Sequence, residues 1–264
     1  MGVLDGKVAI VTGAGRLRGI GRATAVAPAA QGADVVVTGT GRNPTTFPTD
    51  EKAVNWNDVH STVERIEAQG RRGLALIGDI SQQADVIHMV QRTLATFGRI
   101  DILVNDAGVY LKAPVVNKSE EDWDRTINVN LGGNFLCARA FVPAMREQKS
   151  GRIISIASSI AHTGGREFAD YAASKAAIIG FVKALARELG PESITVNAIC
   201  PGSANTDMPR QHRTEEETMA RLRSTPLGHV LEPDDIAGSI IFLASDAAAY
   251  ITGQVYNINC GTVM

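Results

Sequence analysis

The sequence predicts an α/β fold, a doubly wound seven-stranded parallel sheet with helices on both faces. Three observations carry this expectation. Seven short apolar runs recur along the 264 residues, helix-length amphipathic stretches separate many of them, and a glycine-rich turn follows the first run. Short, almost wholly apolar runs suit parallel strands covered on both sides, and strand–helix alternation is the signature of a doubly wound sheet.

In chain order, "KVAIVT" gives the first strand, and "TGAGRLRGIG" (Thr12 to Gly21) gives the turn. "GRATAVAPAAQ" follows as a helix. Pro28 lies inside it and would leave the Thr24 carbonyl without its partner, so a kink or an early end is expected there. "DVVVTG" is the second strand, and "RNPTTFPTDEKAVNWND" (42–58) is an insertion, read as a surface loop or a loop with a short helix. "GLALIG", the helix "ADVIHMVQRTLATF" and "DILVN" continue the alternation. "INVNLGG" reads as helical, "GRIISIA" as the fifth strand, and "SKAAIIGFVKALAREL" as a long helix before "ITVNAI". The charged stretch "SANTDMPRQHRTEEETMARLRSTP" (203–226) is either a lid over a site or a solvated flap. "QVYNIN" is the last strand. No composition shift or repeat interrupts the chain, so residues 1–264 read as one domain.

Charge and composition exclude several classes. Lys and Arg number 26 against 28 Asp and Glu, a net charge of −2, with no basic stripe for a nucleic acid. The cysteines Cys137, Cys200 and Cys260 form no C-x-x-C pair, so neither a metal site nor a disulfide framework is expected. The opening "MGVLDGKVAIVTG" lacks a basic n-region, and no run approaches a membrane span. A cytoplasmic protein without a membrane partner is the expectation.

The residues that carry chemistry begin with "YAASK". Tyr171 and Lys175 stand four apart, which puts both side chains on one helix face. A nearby ammonium favours the phenolate, so the pair is expected to lower the tyrosine pKa and act as a general acid/base. Ser158 closes the run "GRIISIA", at a strand's C-terminal end where open α/β sheets bind ligands. Asn130 lies upstream beside the same crevice.

Taken in order, "TGAGRLRGIG", "GDIS", "NDAG", "NVNL", "YAASK" and "NAICPGSANTDM" resemble the single-domain, NAD(P)-dependent short-chain dehydrogenases/reductases, a Rossmann-fold family. The resemblance extends to the C-terminal "EPDDIAGSIIFLASDAAAYITGQVYNINCG" and so covers essentially the whole chain. It implies that Tyr171 exchanges the proton at the substrate oxygen, that Lys175 binds the nicotinamide ribose, that Ser158 polarises the substrate carbonyl, and that Asn130 positions a water in a relay to Lys175. The family spacing selects Ser158, whereas the string "SSIA" selects Ser159 with one residue deleted. Ser158 is preferred. Relative to the family's Gly-x-x-x-Gly-x-Gly, the glycine turn carries two extra residues among Arg16, Leu17 and Arg18.

The resemblance further implies a dinucleotide site of Gly13, Gly19, Ile20 and Gly21 for the pyrophosphate. Asp79 and Ile80 flank the adenine, and Asn105, Ala107 and Gly108 line the ribose. Pro201, Gly202 and Thr206 cup the nicotinamide, beside Tyr171 and Lys175. Gly39 stands where an NAD-type carboxylate would be, while Arg18 and Arg42 lie near a 2′-phosphate position, so NADP(H) is preferred and NAD(H) possible. Asp106 departs from the family's Asn-Asn-Ala-Gly, and Cys260 from a common glycine.

The activity so implied is that of a carbonyl reductase or alcohol dehydrogenase, 3-oxoacyl-reductase-like, acting on a small carbonyl or alcohol. An enoyl reductase is the alternative, favoured by the long glycine turn and opposed by the Tyr–Lys spacing. A non-catalytic dinucleotide sensor is the other. A homotetramer is the family expectation.

Overall fold

The fold is seen in a computed structural model, which describes residues 2–207, 214, 216, 217, 220 and 225–264. All seven predicted strands form, and they make one parallel sheet in the order β3-β2-β1-β4-β5-β6-β7. They are β1 (Val8–Val11), β2 (Asp34–Gly39), β3 (Gly73–Ile77), β4 (Ile102–Asn105), β5 (Gly151–Ile156), β6 (Ile194–Pro201) and β7 (Val255–Ile258). Register is fixed by pairs such as Ile10 with Val36 and Leu103, and Asn105 with Ser155.

The helices laid out by the described residues are α1 (Ile20–Ala30), α2 (Thr49–Ala53), α3 (Asp58–Glu67), α4 (Gln83–Phe97), α5 (Glu120–Ile127), α6 (Gly133–Gln148), α7 (Ile160–Thr163), α8 (Ala169–Leu189) and α9 (Pro233–Ala244). Strand alternation divides the core in two. Ala9, Val11, Val35 and Val104 pack against α1, α3 and α9 through Ala25, Val59 and Ile240. Ile10, Val36, Leu103 and Ile153 face α4, α6 and α8 through Met89, Phe141 and Ile178. Both faces are thus covered, as parallel strands require.

Pro28 sits in the last turn of α1, which ends two residues later. The helix therefore runs through the proline rather than ending early at it, to within a residue of the end of the predicted stretch. The insertion resolves into a 3-10 turn (Pro44–Thr46) and α2. Between α5 and α6 the helix widens into a π turn over Asn128–Gly132. Most of the 203–226 stretch lies outside the described residues. No helix among the described residues is long and apolar enough to cross a membrane.

Candidate active site

Parallel strands leave their C-terminal ends on one edge, and the order reverses between β1 and its neighbours β2 and β4, the place where such sheets bind ligands. A cavity of about 900 Å³ lies there. Gly13, Gly19 and Ile20 wall one end, and Asp79, Ile80, Ala107 and Gly108 the middle. Ser158, Tyr171, Lys175, Pro201, Gly202 and Thr206 wall the other.

The glycine turn is held from both sides. Gly13 has φ +74°, and a Cβ there would come 2.6 Å from the Ala107 Cα, so only glycine lets the two loops touch. Thr12 Oγ1 accepts from the Asp106 and Ala107 N–H groups at 3.1 Å each. At the start of α1, Gly19 provides no side-chain cap and the first turn has no acid. The free N–H groups and the positive helix end therefore face the cavity, a cradle that fits a pyrophosphate.

Tyr171, Ser158 and Lys175 are brought together as expected. All three line the cavity, and burial pushes the Tyr171 pKa up. Lys175 is buried; its Nζ donates to the Ile156 carbonyl at 2.6 Å and lies 5.7 Å from the Tyr171 ring centre. The expectation of a lowered tyrosine pKa is corrected here: burial dominates, the neighbouring Ser158 hydroxyl opposes it, and Asp106 reinforces it. Tyr171 is thus a protonated phenol at neutral pH. Burial also pushes the Lys175 ammonium down and the Asp106 carboxyl up, each partly offset by the other.

Asn130 is fully buried within the π turn rather than on the cavity wall. Its Nδ2 donates to the Val109 carbonyl (2.9 Å) and Ser174 Oγ (3.0 Å), and its Oδ1 accepts from the Val109 N–H (2.8 Å). The side chain is spent on fixing the chain after β4, so it positions that loop.

Four of the residues expected at the dinucleotide lie off the open wall or already have protein partners. Gly21 is buried off the wall, and its tight spacing to Gly13 sets how closely α1 packs. Asn105 is buried beneath the wall, because strand alternation turns it inward beside Ser155. Arg18 does not reach the wall; its guanidinium pairs with Asp50 at 2.5 Å. Arg42 reaches the wall but is committed to Glu51 (2.8 Å) and Asp58 (3.2 Å). Asp79 lines the cavity while one of its oxygens accepts from the Ser81 N–H and hydroxyl, both 2.8 Å, closing a strand-end turn.

Sequence reasoning missed several groups. Tyr110, Phe168 and Tyr171 form a mutually edge-on aromatic cluster, with centroids 5.3 to 6.4 Å apart, on the substrate side. Behind it the buried side chains of Lys118 and Asp170 pair at 3.0 Å. Lys118 also donates to the Leu111 carbonyl and Thr126 to Asp170. The insertion stitches down the extended glycine turn: Leu17 N–H to Glu51 (2.9 Å) and Trp56 Nε1 to the Gly15 carbonyl (2.7 Å). The signal for these was present as acids and an aromatic in "TDEKAVNWND", a segment rich in partners for two arginines.

This sheet, glycine cradle and tyrosine–lysine helix define a class: α/β oxidoreductases built around a nicotinamide dinucleotide. The chain belongs to the short-chain dehydrogenase/reductase family and is an enzyme acting on CH–OH/C=O groups. A family model described as enoyl-(acyl carrier protein) reductase matches residues 13–263. The chain is 42% identical over 265 residues to a 3-oxoacyl-[acyl-carrier-protein] reductase of Synechocystis, with 100% of both chains covered. It is 41% identical to the (2S)-[(R)-hydroxy(phenyl)methyl]succinyl-CoA dehydrogenase subunit BbsD of Thauera aromatica, covering 98% of this chain and 96% of that one. A crystal structure from Sinorhizobium meliloti, described as a short-chain alcohol dehydrogenase, superposes with TM-score 0.87 at 35% identity, covering 98% and 97% of the two chains.

Proposed function

We infer that this protein interconverts a ketone and a secondary alcohol on an acyl thioester of the 3-oxoacyl type, working as one nucleotide-binding domain. The observation that carries the reading is that Tyr171, Ser158 and Lys175 share one wall of the cavity that the glycine turn also walls. When bound, the nicotinamide supplies or accepts the hydride. Ser158 donates a hydrogen bond to the substrate oxygen. Tyr171, kept protonated by burial, delivers its proton to that oxygen as charge develops on it. Lys175 holds a positive charge behind the tyrosine and would bind the ribose hydroxyls of the dinucleotide. Asn130 keeps the Val109 backbone in place beside them. Ser158 takes the polarising role over Ser159, which lies on the wall but starts the short helix α7.

The substrate class draws on the named relatives, a 3-oxoacyl reductase and a hydroxyacyl-CoA dehydrogenase subunit. The aromatic cluster of Tyr110 and Phe168 suits an apolar acyl or aryl flank. The enoyl-reductase description of the family model keeps double-bond reduction as the second reading. Against it stands the proton donor, poised with Ser158 to meet an oxygen. A homotetramer in the cytoplasm is part of this proposal.

The test follows nicotinamide absorbance with 3-oxoacyl thioesters, simple ketones and enoyl thioesters. Tyr171→Phe should lower kcat/KM for the ketone by roughly 10²–10⁴-fold while dinucleotide binding persists. Turnover within about tenfold of the parent enzyme would sink the assignment. The finer cofactor preference, expected as NADP(H) from Arg18 and Arg42, turns on the charges around those arginines.

A further inference from the structure

Arg18 and Arg42 carried the expectation of an adenosine 2′-phosphate site, and the structure gives both other work. Arg18 is held by Asp50 at 2.5 Å. Arg42 donates from Nε to Asp58 (3.2 Å), from Nη1 to Glu51 (2.8 Å), and from Nη2 to Glu51 (3.1 Å) and the Gly15 carbonyl (2.9 Å). One face of its guanidinium lies 4.5 Å from the Phe47 ring centre. Four of its five N–H directions are therefore used within the protein.

The acids are the informative part. In Rossmann folds a carboxylate at the end of the second strand accepts the adenosine 2′-hydroxyl and repels a 2′-phosphate. Here that strand ends in Gly39, with no side chain of its own. Asp58 supplies the carboxylate from elsewhere. A Cβ built on Gly15 would come 1.9 Å from Asp58 Oδ1, and one built on Gly39 would come 3.9 Å from Asp58 Oδ2. The carboxylate thus hangs over the glycine turn beside the end of β2, on the cavity wall. Its backbone is held at φ +49°, a left-handed conformation that costs energy for a residue with a Cβ. The Arg42 N–H binds Asp58 Oδ2 at 2.9 Å and helps fix the side chain there.

We propose that Asp58, carried into the site by the 42–58 insertion, reads the adenosine ribose in place of a β2 acid and makes this enzyme favour NAD(H) over NADP(H). The charge balance agrees. Two arginines (Arg18, Arg42) face three carboxylates (Asp50, Glu51, Asp58), a sum of −1. The wall adds Arg16 and Asp207, which interact with each other and cancel. A phosphate bearing roughly −1.5 to −2 charges would enter a region with no surplus of positive charge among the described residues. A ribose hydroxyl instead finds an oriented acceptor. The insertion and the lengthened glycine turn then form one device: the turn gives the insertion its docking groups, and the insertion returns the acid that β2 lacks.

This rests on the dinucleotide-dependent reading, and its test separates the two. Dissociation constants for NADH and NADPH are measured by titration calorimetry on the unmodified enzyme and on Asp58→Asn, with a thermal melt confirming that the variant folds. Asparagine tolerates the left-handed backbone and still accepts through its Oδ1. The expected result is that NADH binds at least about tenfold more tightly than NADPH to the parent, a difference of about 1.4 kcal/mol, and that the ratio narrows by a similar factor in the variant. Equal or tighter binding of NADPH by the parent overturns the proposal and leaves the dehydrogenase reading intact. An unchanged ratio in a folded Asp58→Asn overturns the role of Asp58. Failure of either nucleotide to bind overturns both readings.

Discussion

Replacing Asp170 by alanine removes one half of a buried ion pair and leaves the other half in place. Asp170 is fully buried and accepts from Lys118 Nζ at 3.0 Å and from Thr126 Oγ1 at 2.8 Å. The Lys118 side chain is only 4% exposed, so its ammonium has little water to turn to. An uncompensated buried charge of this kind costs about 3–5 kcal/mol. Loss of the Thr126 acceptor adds to that figure. In a chain of this size each kcal/mol moves Tm by about 2–4 °C, so a fall of roughly 6–20 °C is expected. Thermal or urea denaturation of Asp170→Ala reads it directly. Lys118→Met combined with Asp170→Ala should recover much of the loss, since replacing both partners by apolar groups removes the stranded charge. Asp170 immediately precedes Tyr171, and Lys118 also fixes the Leu111 carbonyl beside Tyr110, so kcat should fall along with stability. A destabilisation below about 1 kcal/mol, or a double variant worse than the single, would refute this account of the pair.

Two further outcomes follow from groups around the glycine turn. Gly13→Ala should abolish dinucleotide binding and destabilise the fold by about 1–3 kcal/mol, because its Cβ would press on Ala107 backbone at 2.6 Å; calorimetry and a melt report both. Asp106 is raised by burial from 3.8 to about 7, so it is a group whose stabilising protonation is complete below pH 4 and lost as pH rises towards 7. Asp106→Asn should flatten that part of the stability profile. The same change should move the acidic limb of alcohol oxidation to lower pH, because Asp106 helps keep the Tyr171 pKa high; superimposable profiles would count against the coupling.

The sheet was legible because parallel strands buried on both faces must be apolar throughout, and runs such as "DILVN" and "GRIISIA" have few other uses. The Tyr171, Lys175 and Ser158 group was legible because one helix and one strand end carry it. What escaped was set by contacts distant in sequence. Nothing near Arg42 shows that its guanidinium folds back onto Glu51 and Asp58, and nothing near Arg18 points to Asp50. Charge was visible, but its pairing was not, and pairing decides whether an arginine greets a phosphate. Asn105 failed for a local reason: the direction of a strand's last side chain depends on where the strand stops. The loop-holding task of the Asn130 side chain could be counted only once Val109 and Ser174 were seen beside it.

The π turn at Asn128–Gly132 behaves as a phase adjuster in an otherwise continuous helical rod. One residue more than an α-helical turn needs rotates everything upstream by about 100° about the axis relative to α6. Downstream of it, Phe141 and Met145 hold their stripe against the sheet. Upstream, Thr126 is swung round to meet Asp170 on α8. A single rod in perfect register would serve only one of those two clients. The surplus residue lets one helix face the core along its second half and clasp the tyrosine-bearing helix along its first.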